Sequence, residues 1–268
     1  MVVCALKSVP FRLDPIIPFQ GNGAFTAISP LRRIPVWIDE QVTLPDSTAV
    51  AEYLDERYPV PPLFPATPAA RAMVRWLEEF ADIRMGEVFI GRLFNAAVIK
   101  PNVWKEPRDE AVIAETLRDD LPPVMDYLES IGPVSGFVCG DLSMADIAIA
   151  VHFANLRWSR TAADLSRWPK TSDWIGRVEE TPALAKLTAL AEQSRTIRRA
   201  DWRALFAASG ILPTETTFAG KGVRKGPMSV WCRRPTAAGA WRDCEASAAM
   251  MRARLPVSPG PSRHHGHP

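Results

Sequence analysis

The stretch of residues 32–59, RRIPVWIDEQVTLPDSTAVAEYLDERYP, constrains the fold more than any other part of the chain. Two short apolar runs at 34–38 and 41–44 are separated by only two acidic residues, which predicts a tight hairpin of two strands. Asp46 and Ser47 then form a typical helix start, and helical spacing of apolar residues continues to the proline that ends the stretch. The sequence therefore predicts a unit of hairpin, cap and helix.

Two features of this unit suit a ligand. Pro35 follows Ile34 at the start of the first strand, where a cis peptide bond would leave the backbone of Ile34 free to pair with an extended peptide. Asp46 and Ser47 place a carboxylate, a hydroxyl and unpaired N–H groups at one helix start, which suits a ligand with both an ammonium and a carboxylate. Each motif alone is typical of ordinary structure, but their order and spacing together favour a binding site.

With these motifs the unit resembles the second half of the N-terminal domain in the glutathione S-transferase family, bacterial type. The resemblance implies a thioredoxin-like α/β domain in which the residue before a cis-proline pairs with the cysteinyl backbone of glutathione. It also implies that the acid–serine pair holds the γ-glutamyl end. By position, Ile34, Pro35, Asp46 and Ser47 would bind glutathione, and Arg33 would face its glycine carboxylate.

Compared with this family, the N-terminal domain is expected to be incomplete. Residues 1–9 predict a helix, 11–17 a strand, and 21–30 a turn with a short helix. The first strand of the family's domain, with the residue that activates the thiol, then has no counterpart, so the catalytic residue stays unknown. Cys4 and Ser8 lie on the predicted helix and are poor substitutes. We expect a chain that is truncated at its N-terminus, with unpaired strand edges that lower its solubility.

The rest of the chain predicts helices followed by a basic end. Helical spacing extends over 69–99, with a kink near Gly86 or Gly91, and over 109–130, with a break at the two prolines 122–123. We expect a thioredoxin-like domain at 1–59, a linker at 60–68, an all-helical bundle at 69–218, and a basic disordered tail at 219–268. Residues placed on the inner face of the first long helix include Met73, Trp76, Leu77, Phe80, Ile83, Val88 and Leu93, and candidate liners of a substrate crevice are Met85, Phe89 and Phe94.

A second motif, Gly-Asp-Leu-Ser-Met-Ala-Asp, starts at Gly140. Ser143 and Asp146 stand three residues apart before an apolar helix, which predicts a capping box with a structural role. The resembling family has a matching element at the start of a buried helix. On this helix Ile147, Val151, Ala154 and Trp158 are expected to share an inner face, and His152 is interpreted as a packing residue.

Composition and charge exclude several classes of function. The chain of 268 residues is 47% hydrophobic and 23% charged, which is typical of globular proteins. Residues 219–268 carry nine Lys/Arg against two acids, so the body is mildly acidic and no nucleic acid is expected as a partner. No apolar run approaches the ~20 residues of a membrane span. Four cysteines without metal-site spacing, and no signal peptide, predict a cytoplasmic protein without a metal.

Two functions remain open at this stage. The first is a glutathione transferase, a homodimer by family resemblance, in which a thiolate attacks a small, mostly apolar electrophile; conjugation, dehalogenation, isomerisation and peroxide reduction are all compatible with it. The second is a non-catalytic binding or interaction protein on the same fold, because a fold does not fix a function. The missing thiol-activating residue favours the second, and the retained peptide-binding motifs favour the first.

Overall fold

The computed structural model describes residues 1–224, and the following statements concern that range. Most of the predicted basic tail, from residue 225 onward, lies outside the described residues. The helices are α1 Val2–Leu6, α2 Gly23–Ile28, α3 Ser47–Arg57, α4 Pro68–Phe80, α5 Glu110–Glu115, α6 Leu121–Ile131, α7 Met144–Ser159, α8 Pro169–Glu179, α9 Pro182–Thr196 and α10 Trp202–Ala208. The strands are β1 Trp37–Ile38 and β2 Thr43–Leu44, and short 3₁₀ turns cover Pro18–Gln20 and Arg199–Asp201.

The predicted hairpin is present, but its strands are shorter and its loop is longer than expected. β1 and β2 are antiparallel, with Trp37 opposite Leu44 and Ile38 opposite Thr43. Asp39 organises residues 39–42 as the loop, because its carboxylate accepts the backbone N–H groups of Gln41 at 2.8 Å and Val42 at 2.9 Å. Such a side-chain turn replaces the tight two-residue turn that the apolar pattern predicted.

Residues 11–17 do not form the predicted strand. Instead, Leu13 pairs with a segment near the end of the described chain: its N–H donates to Leu212 at 2.8 Å, and its carbonyl accepts from Thr214 at 3.1 Å. Further along, Asn22 donates to the carbonyl of Phe218 at 2.7 Å. We call residues 211–224 the C-terminal strap. Residues 219–224, which the sequence analysis placed in the tail, are part of it.

The helical part is built around α7, most of whose residues are buried. α4 continues without interruption into a wider helix with π-type hydrogen bonding over Ala81–Trp104, which packs on α7. The winding changes at Ala81 and not at Gly86 or Gly91; both glycines are buried. A shorter π-type turn, Thr116–Asp120, separates α5 from α6 just before the two prolines, close to the predicted break.

Four residues expected on inner helix faces are exposed. They are Met73, Trp76, Ile83 and Val151. For Ile83 the cause is the shift to π-type winding, which moves the apolar stripe after Ala81. α7 is apolar on nearly all sides, so its inner face could not be chosen from spacing alone. Nothing in the structure explains why Met73 and Trp76 are apolar at exposed positions of α4. Of the other residues predicted on these faces, Leu77, Val88, Leu93 and Ile147 are buried, and Phe80, Ala154 and Trp158 are half-buried.

The region of the predicted linker is irregular and mostly exposed, but it is anchored at two residues. Leu63 and Phe64 are buried, and the carbonyl of Leu63 accepts the N–H of Met144 at 2.9 Å. On the other side Lys7 forms a buried ion pair with Asp55 at 2.7 Å, and Asp55 also accepts the N–H of Leu63 at 2.8 Å. The segment therefore ties α3 to the start of α7.

Asp146 holds the start of α7. Its carboxylate accepts the N–H of Ser143 at 3.0 Å and the hydroxyl of Ser143 at 2.7 Å, as a capping box requires. It also accepts the N–H of Val138 at 3.0 Å and the indole N–H of Trp174 at 2.8 Å. Because Asp146 is fully buried, this one carboxylate links α7 to α8 and to the preceding loop. Among residues 1–224, no helix is long and apolar enough to cross a membrane.

Candidate functional site

A cavity of about 150 Å³ opens where the hairpin, the start of α3 and the long helix meet. Its walls come from the N-terminal segments through Arg33, Ile34, Pro45, Asp46 and Ser47, and from the helical part through Asp82, Gly86, Ile90 and His152. Four of the five residues predicted from sequence as a glutathione site therefore line one cavity. The fifth, Pro35, is adjacent to Ile34.

The peptide bond between Ile34 and Pro35 is cis, as predicted. Ser29 fixes the backbone of Arg33, the residue before Ile34. The Ser29 hydroxyl donates to the Arg33 carbonyl and accepts the Arg33 N–H, both at 2.9 Å. Within residues 1–224, neither the N–H nor the carbonyl of Ile34 has a hydrogen-bond partner. The Ile34 backbone can therefore pair with an extended ligand.

The second half of the site is the start of α3. One oxygen of Asp46 accepts the N–H of Ala49 at 3.0 Å, which is an N-cap contact. The other oxygen of Asp46 and the hydroxyl of Ser47 have no partner within the described range, and both residues are exposed. A carboxylate, a hydroxyl and the N–H groups of the first helical turn are thus available to one ligand.

Two further carboxyl groups lie behind this helix start. Burial raises the pKa of Glu78 to about 7; a hydrogen bond from Thr48 lowers it, and the charge of Asp82 raises it. Burial also raises the pKa of Asp82, and the negative charge of Asp46 acts in the same direction while Arg33 opposes it. Asp46 and Asp82 are exposed at the cavity and Glu78 is buried behind them, so this side of the site is rich in carboxyl groups that resist a further negative charge.

His152 forms part of the cavity wall on the side of α7. Its ring is 4% exposed and packs against Phe89 with centroids 6.0 Å apart, so it is a packing residue as predicted. Burial lowers the pKa of His152 to about 4, which keeps the ring neutral at physiological pH. Unlike the interpretation from sequence, the structure also places this residue at the cavity.

Other sequence candidates lie elsewhere. Met85 and Phe89 are fully buried in the core, and Phe94 is half-buried and does not line the cavity, so the predicted crevice liners are wrong. Cys4 is buried away from the cavity, and burial raises the pKa of its thiol, which disfavours a thiolate. Ser8 is exposed and also lies outside the cavity.

Asp82, Gly86 and Ile90 also line the cavity but were not predicted from the sequence. A usable signal was present, because the three stand four residues apart and so share one helix face. Nothing local marked that face as the one turned towards the hairpin. Within residues 1–224 no group of His, Cys, Asp or Glu side chains could hold a metal ion.

Comparison with known proteins identifies the class. Residues 1–62 match the sequence profile of the glutathione S-transferase N-terminal domain, and residues 97–189 match that of its C-terminal domain. Maleylacetoacetate isomerase of Rattus norvegicus is 30% identical over 178 residues, which cover 64% of this chain and 77% of that protein. The chain belongs to the glutathione S-transferase family, a family of enzymes, and has its thioredoxin-like N-terminal and helical C-terminal domains.

Two other similarities define the limits of this comparison. A stringent starvation protein A homolog of Haemophilus ducreyi is 39% identical over 74 residues, but the match covers only 28% of this chain and 35% of that protein. Among solved structures, a glutathione S-transferase from Rhodospirillum rubrum F11 superposes with a TM-score of 0.62 at 22% identity, covering 80% of this chain and 89% of the other. At this identity the superposition supports the fold alone.

Proposed function

We propose that the protein binds glutathione in this cavity and uses the bound thiol against a small, mostly apolar electrophile. The observation that carries the proposal is the juxtaposition of the unpaired Ile34 backbone with the exposed Asp46–Ser47 helix start across one cavity. An extended tripeptide with a charged group at each end is the kind of ligand that such a site would hold.

Each part of glutathione has a matching group. The N–H and carbonyl of Ile34 pair with the cysteinyl residue as a short β-ladder. Asp46 attracts the γ-glutamyl ammonium, and the Ser47 hydroxyl with the first N–H groups of α3 binds the γ-glutamyl carboxylate. Arg33, at the rim, faces the glycine carboxylate. The same arrangement leaves the thiol between the hairpin and the helical wall.

The chemistry depends on the ionised thiol. A thiol with a pKa near 8.5 is mostly protonated at neutral pH, so lowering the pKa by about two units makes the thiolate dominant. A bound thiolate can form a C–S bond to an electrophilic carbon while a leaving group such as chloride departs with its bonding electrons. Alternatively, it can add to a polarised double bond, allow rotation about the resulting single bond and be eliminated again, which is an isomerisation. The similarity to maleylacetoacetate isomerase favours including the second reaction.

We also propose a homodimer in a reducing cytoplasm. Met73, Trp76 and Ile83 form an exposed apolar stripe along α4 and its continuation, and a second copy of the chain would cover it. Cys4 and Cys139 are free thiols, which is compatible with a reducing compartment. We further propose a thioredoxin-like domain at 1–59, a linker at 60–68 that is anchored by buried Leu63 and Phe64, and a helical domain from residue 69 that includes the strap at 211–224.

One observation favours the alternative, a binding protein without catalysis. Among the described residues, the cavity wall contains no cysteine or tyrosine, and Ser47 provides its single hydroxyl. Since the proposed role of Ser47 is to bind the γ-glutamyl carboxylate, no wall residue has been assigned to the thiol.

Calorimetric titration with glutathione tests the proposal. Asp46→Asn keeps the helix cap, because asparagine caps as well as aspartate, but removes the charge that attracts the ammonium. We expect at least tenfold weaker binding for Asp46→Asn and unchanged binding for the exposed control Glu40→Gln. Equal affinity of Asp46→Asn and the parent would refute the site. Turnover of 1-chloro-2,4-dinitrobenzene with glutathione then separates the enzyme from the binding protein.

A further inference from the structure

Arg32 is a buried arginine two residues before the free backbone of Ile34. It is 8% exposed, and its φ of +54° lies in the left-handed region, which residues with a Cβ atom adopt only at a cost in free energy. The next residue, Arg33, is exposed at the cavity. The chain therefore turns at Arg32 as it enters the site, and the conformation of Arg32 sets the direction of the residues that follow.

The side chain of Arg32 is held by neutral oxygen atoms. Its guanidinium donates to the Gly21 carbonyl at 2.7 Å and to the Thr26 hydroxyl at 2.6 Å, with a longer contact to the Pro18 carbonyl at 3.4 Å. The same group lies over the buried ring of Phe25, 5.7 Å from its centroid. A planar fork with several donors can make all these contacts at once, whereas a lysine ammonium cannot. Together they offset the cost of the left-handed conformation.

The backbone of residues 29–33 carries this constraint to the site. The N–H of Arg32 donates to the carbonyl of Ser29 at 2.8 Å, which closes a turn. Ser29 is fully buried, and its hydroxyl bonds both the N–H and the carbonyl of Arg33. The turn is thus fixed through Ser29 on its backbone and through the guanidinium of Arg32 on its side chain. Ile34 follows this turn directly.

Arg32 does not belong to the wall of the cavity. Its guanidinium is directed at Gly21 and Thr26, and these contacts already use both of its terminal nitrogens. Arg33 is the arginine that lines the cavity. Any effect of Arg32 on a ligand must therefore pass through the backbone that it holds.

We propose that Arg32 is a positioning residue, which orients the backbone of Ile34 for the cysteinyl part of glutathione. This inference rests on the proposed binding of glutathione in the cavity. It also limits the effect of Arg32 to one end of the ligand. The γ-glutamyl end is held by Asp46 and Ser47, and Asp46 is fixed by its own helix through the N–H of Ala49.

Two analogues of glutathione separate these two ends. An analogue with an N-methylated cysteinyl amide lacks the N–H that pairs with the Ile34 carbonyl, and deaminoglutathione lacks the ammonium that faces Asp46. The dissociation constant of each analogue, divided by that of glutathione in the same calorimetric assay, measures the contribution of one contact. In the parent we expect both ratios to be about fivefold or more, because one hydrogen bond or charge contact contributes on that order.

Arg32→Gly removes the side-chain contacts while glycine still permits the left-handed conformation. We expect glutathione to bind at least threefold more weakly to this variant, and the ratio for the N-methylated analogue to fall below two. The ratio for deaminoglutathione should stay within twofold of its parent value. A general loosening of the fold would not lower the first ratio and spare the second.

Three further variants make the result specific. Thr26→Val removes one acceptor of the guanidinium from an exposed position, and Arg32→Lys keeps the charge but not the fork, so both should give an N-methyl ratio between those of the parent and Arg32→Gly. The control Arg198→Gly removes an arginine whose side chain is 84% exposed and pairs with Asp201, and it should keep both parent ratios. Thermal melting of each variant reports its folding.

Each outcome decides the question. An N-methyl ratio that is equal in the parent and Arg32→Gly, or a fall of both ratios together, overturns the positioning role and leaves the glutathione site intact. If glutathione does not bind to the parent, the proposed function fails and this inference fails with it. If Arg32→Gly does not fold, parent ratios in both Thr26→Val and Arg32→Lys overturn the inference.

Discussion

Two segments of the N-terminal half are organised in opposite ways. In residues 34–57 the key carboxylates bind nearby groups: Asp39 accepts from the Trp37 indole at 3.1 Å and the Tyr53 hydroxyl at 2.8 Å, and Asp46 caps its own helix. In residues 11–22 the key carboxylate is Asp14, which accepts from the hydroxyl of Thr217 at 2.8 Å and the N–H of Phe218 at 2.7 Å.

The difference shows which segment can be understood alone. Residues 34–57, which form the hairpin side of the candidate site, are organised by contacts within one hairpin and one helix, so the roles of their cap and turn residues can be predicted from local sequence. The segment around Asp14 depends on the C-terminal strap, whose residues follow about 200 positions later in the chain. We therefore expect the site region to tolerate changes in the strap better than residues 11–22 do.

The largest loss of stability is expected for a change at Asp146, which binds both a nearby residue, Ser143, and a distant one, Trp174. Asp146→Ala would leave four donors without this acceptor: the N–H and hydroxyl of Ser143 and the indole N–H of Trp174, which are buried, and the half-buried N–H of Val138. We expect it to lower the free energy of unfolding by about 3–5 kcal/mol in urea titrations, more than the loss of a cap alone. The exposed control Asp173→Ala should stay within about 0.5 kcal/mol of the parent. A loss below about 1 kcal/mol for Asp146→Ala would contradict the network.

The same contrast explains how far the sequence could predict this structure. Ile34, Asp46 and Ser47 were found because a proline, a cap and a helical period are local signals. Residues 11–17 were wrongly predicted as a strand, because loose alternation indicates an extended segment without revealing its partner. Asp82 and His152 were missed as cavity residues for a similar reason: which helix face turns towards the hairpin is decided by tertiary packing.

Asp14→Ala tests whether residues 11–22 depend on the C-terminal strap. The Asp14 side chain is only 12% exposed and also contacts Arg203 at 3.3 Å. Its removal should cost about 2–4 kcal/mol of unfolding free energy and accelerate amide exchange in residues 11–22 and in the strap together. Glu215→Ala, an exposed acid in the strap, serves as the control. If exchange rises in only one of the two segments, they do not depend on each other as described.

Glu78, which is buried behind the candidate site, makes the stability of the fold depend on pH. Its pKa in the folded protein, about 7, lies above the ordinary value of 4.5, so the folded state binds more protons between these pH values. The associated stability is present below pH 4.5 and is lost as the pH rises through 7. Glu78→Gln should abolish this loss and be more stable than the parent at pH 8 by about 1–3 kcal/mol. Unfolding free energies at pH 5 and pH 8 measure it, with exposed Glu79→Gln as the control; a parent without the pH dependence would contradict the burial of Glu78.

The smallest loss of stability is expected at Asp46, the N-cap of α3. Asp46→Ala should lower the free energy of unfolding by about 0.5–2 kcal/mol, and Asp46→Asn by only a few tenths. Amide exchange should rise in the first turn of α3 and stay unchanged in residues 11–22. A faster exchange of residues 11–22 in Asp46→Ala would show that the two segments are coupled.

Amide hydrogen exchange with and without saturating glutathione tests the central claim, that glutathione binds the locally organised segment and not the strapped one. Peptides covering residues 33–38 and 45–50 should exchange at least threefold more slowly with glutathione, because Ile34 and the first turn of α3 gain partners. Peptides covering residues 11–22 and 211–224 should not change. Slower exchange in residues 11–22 alone, or no change anywhere, would contradict the account.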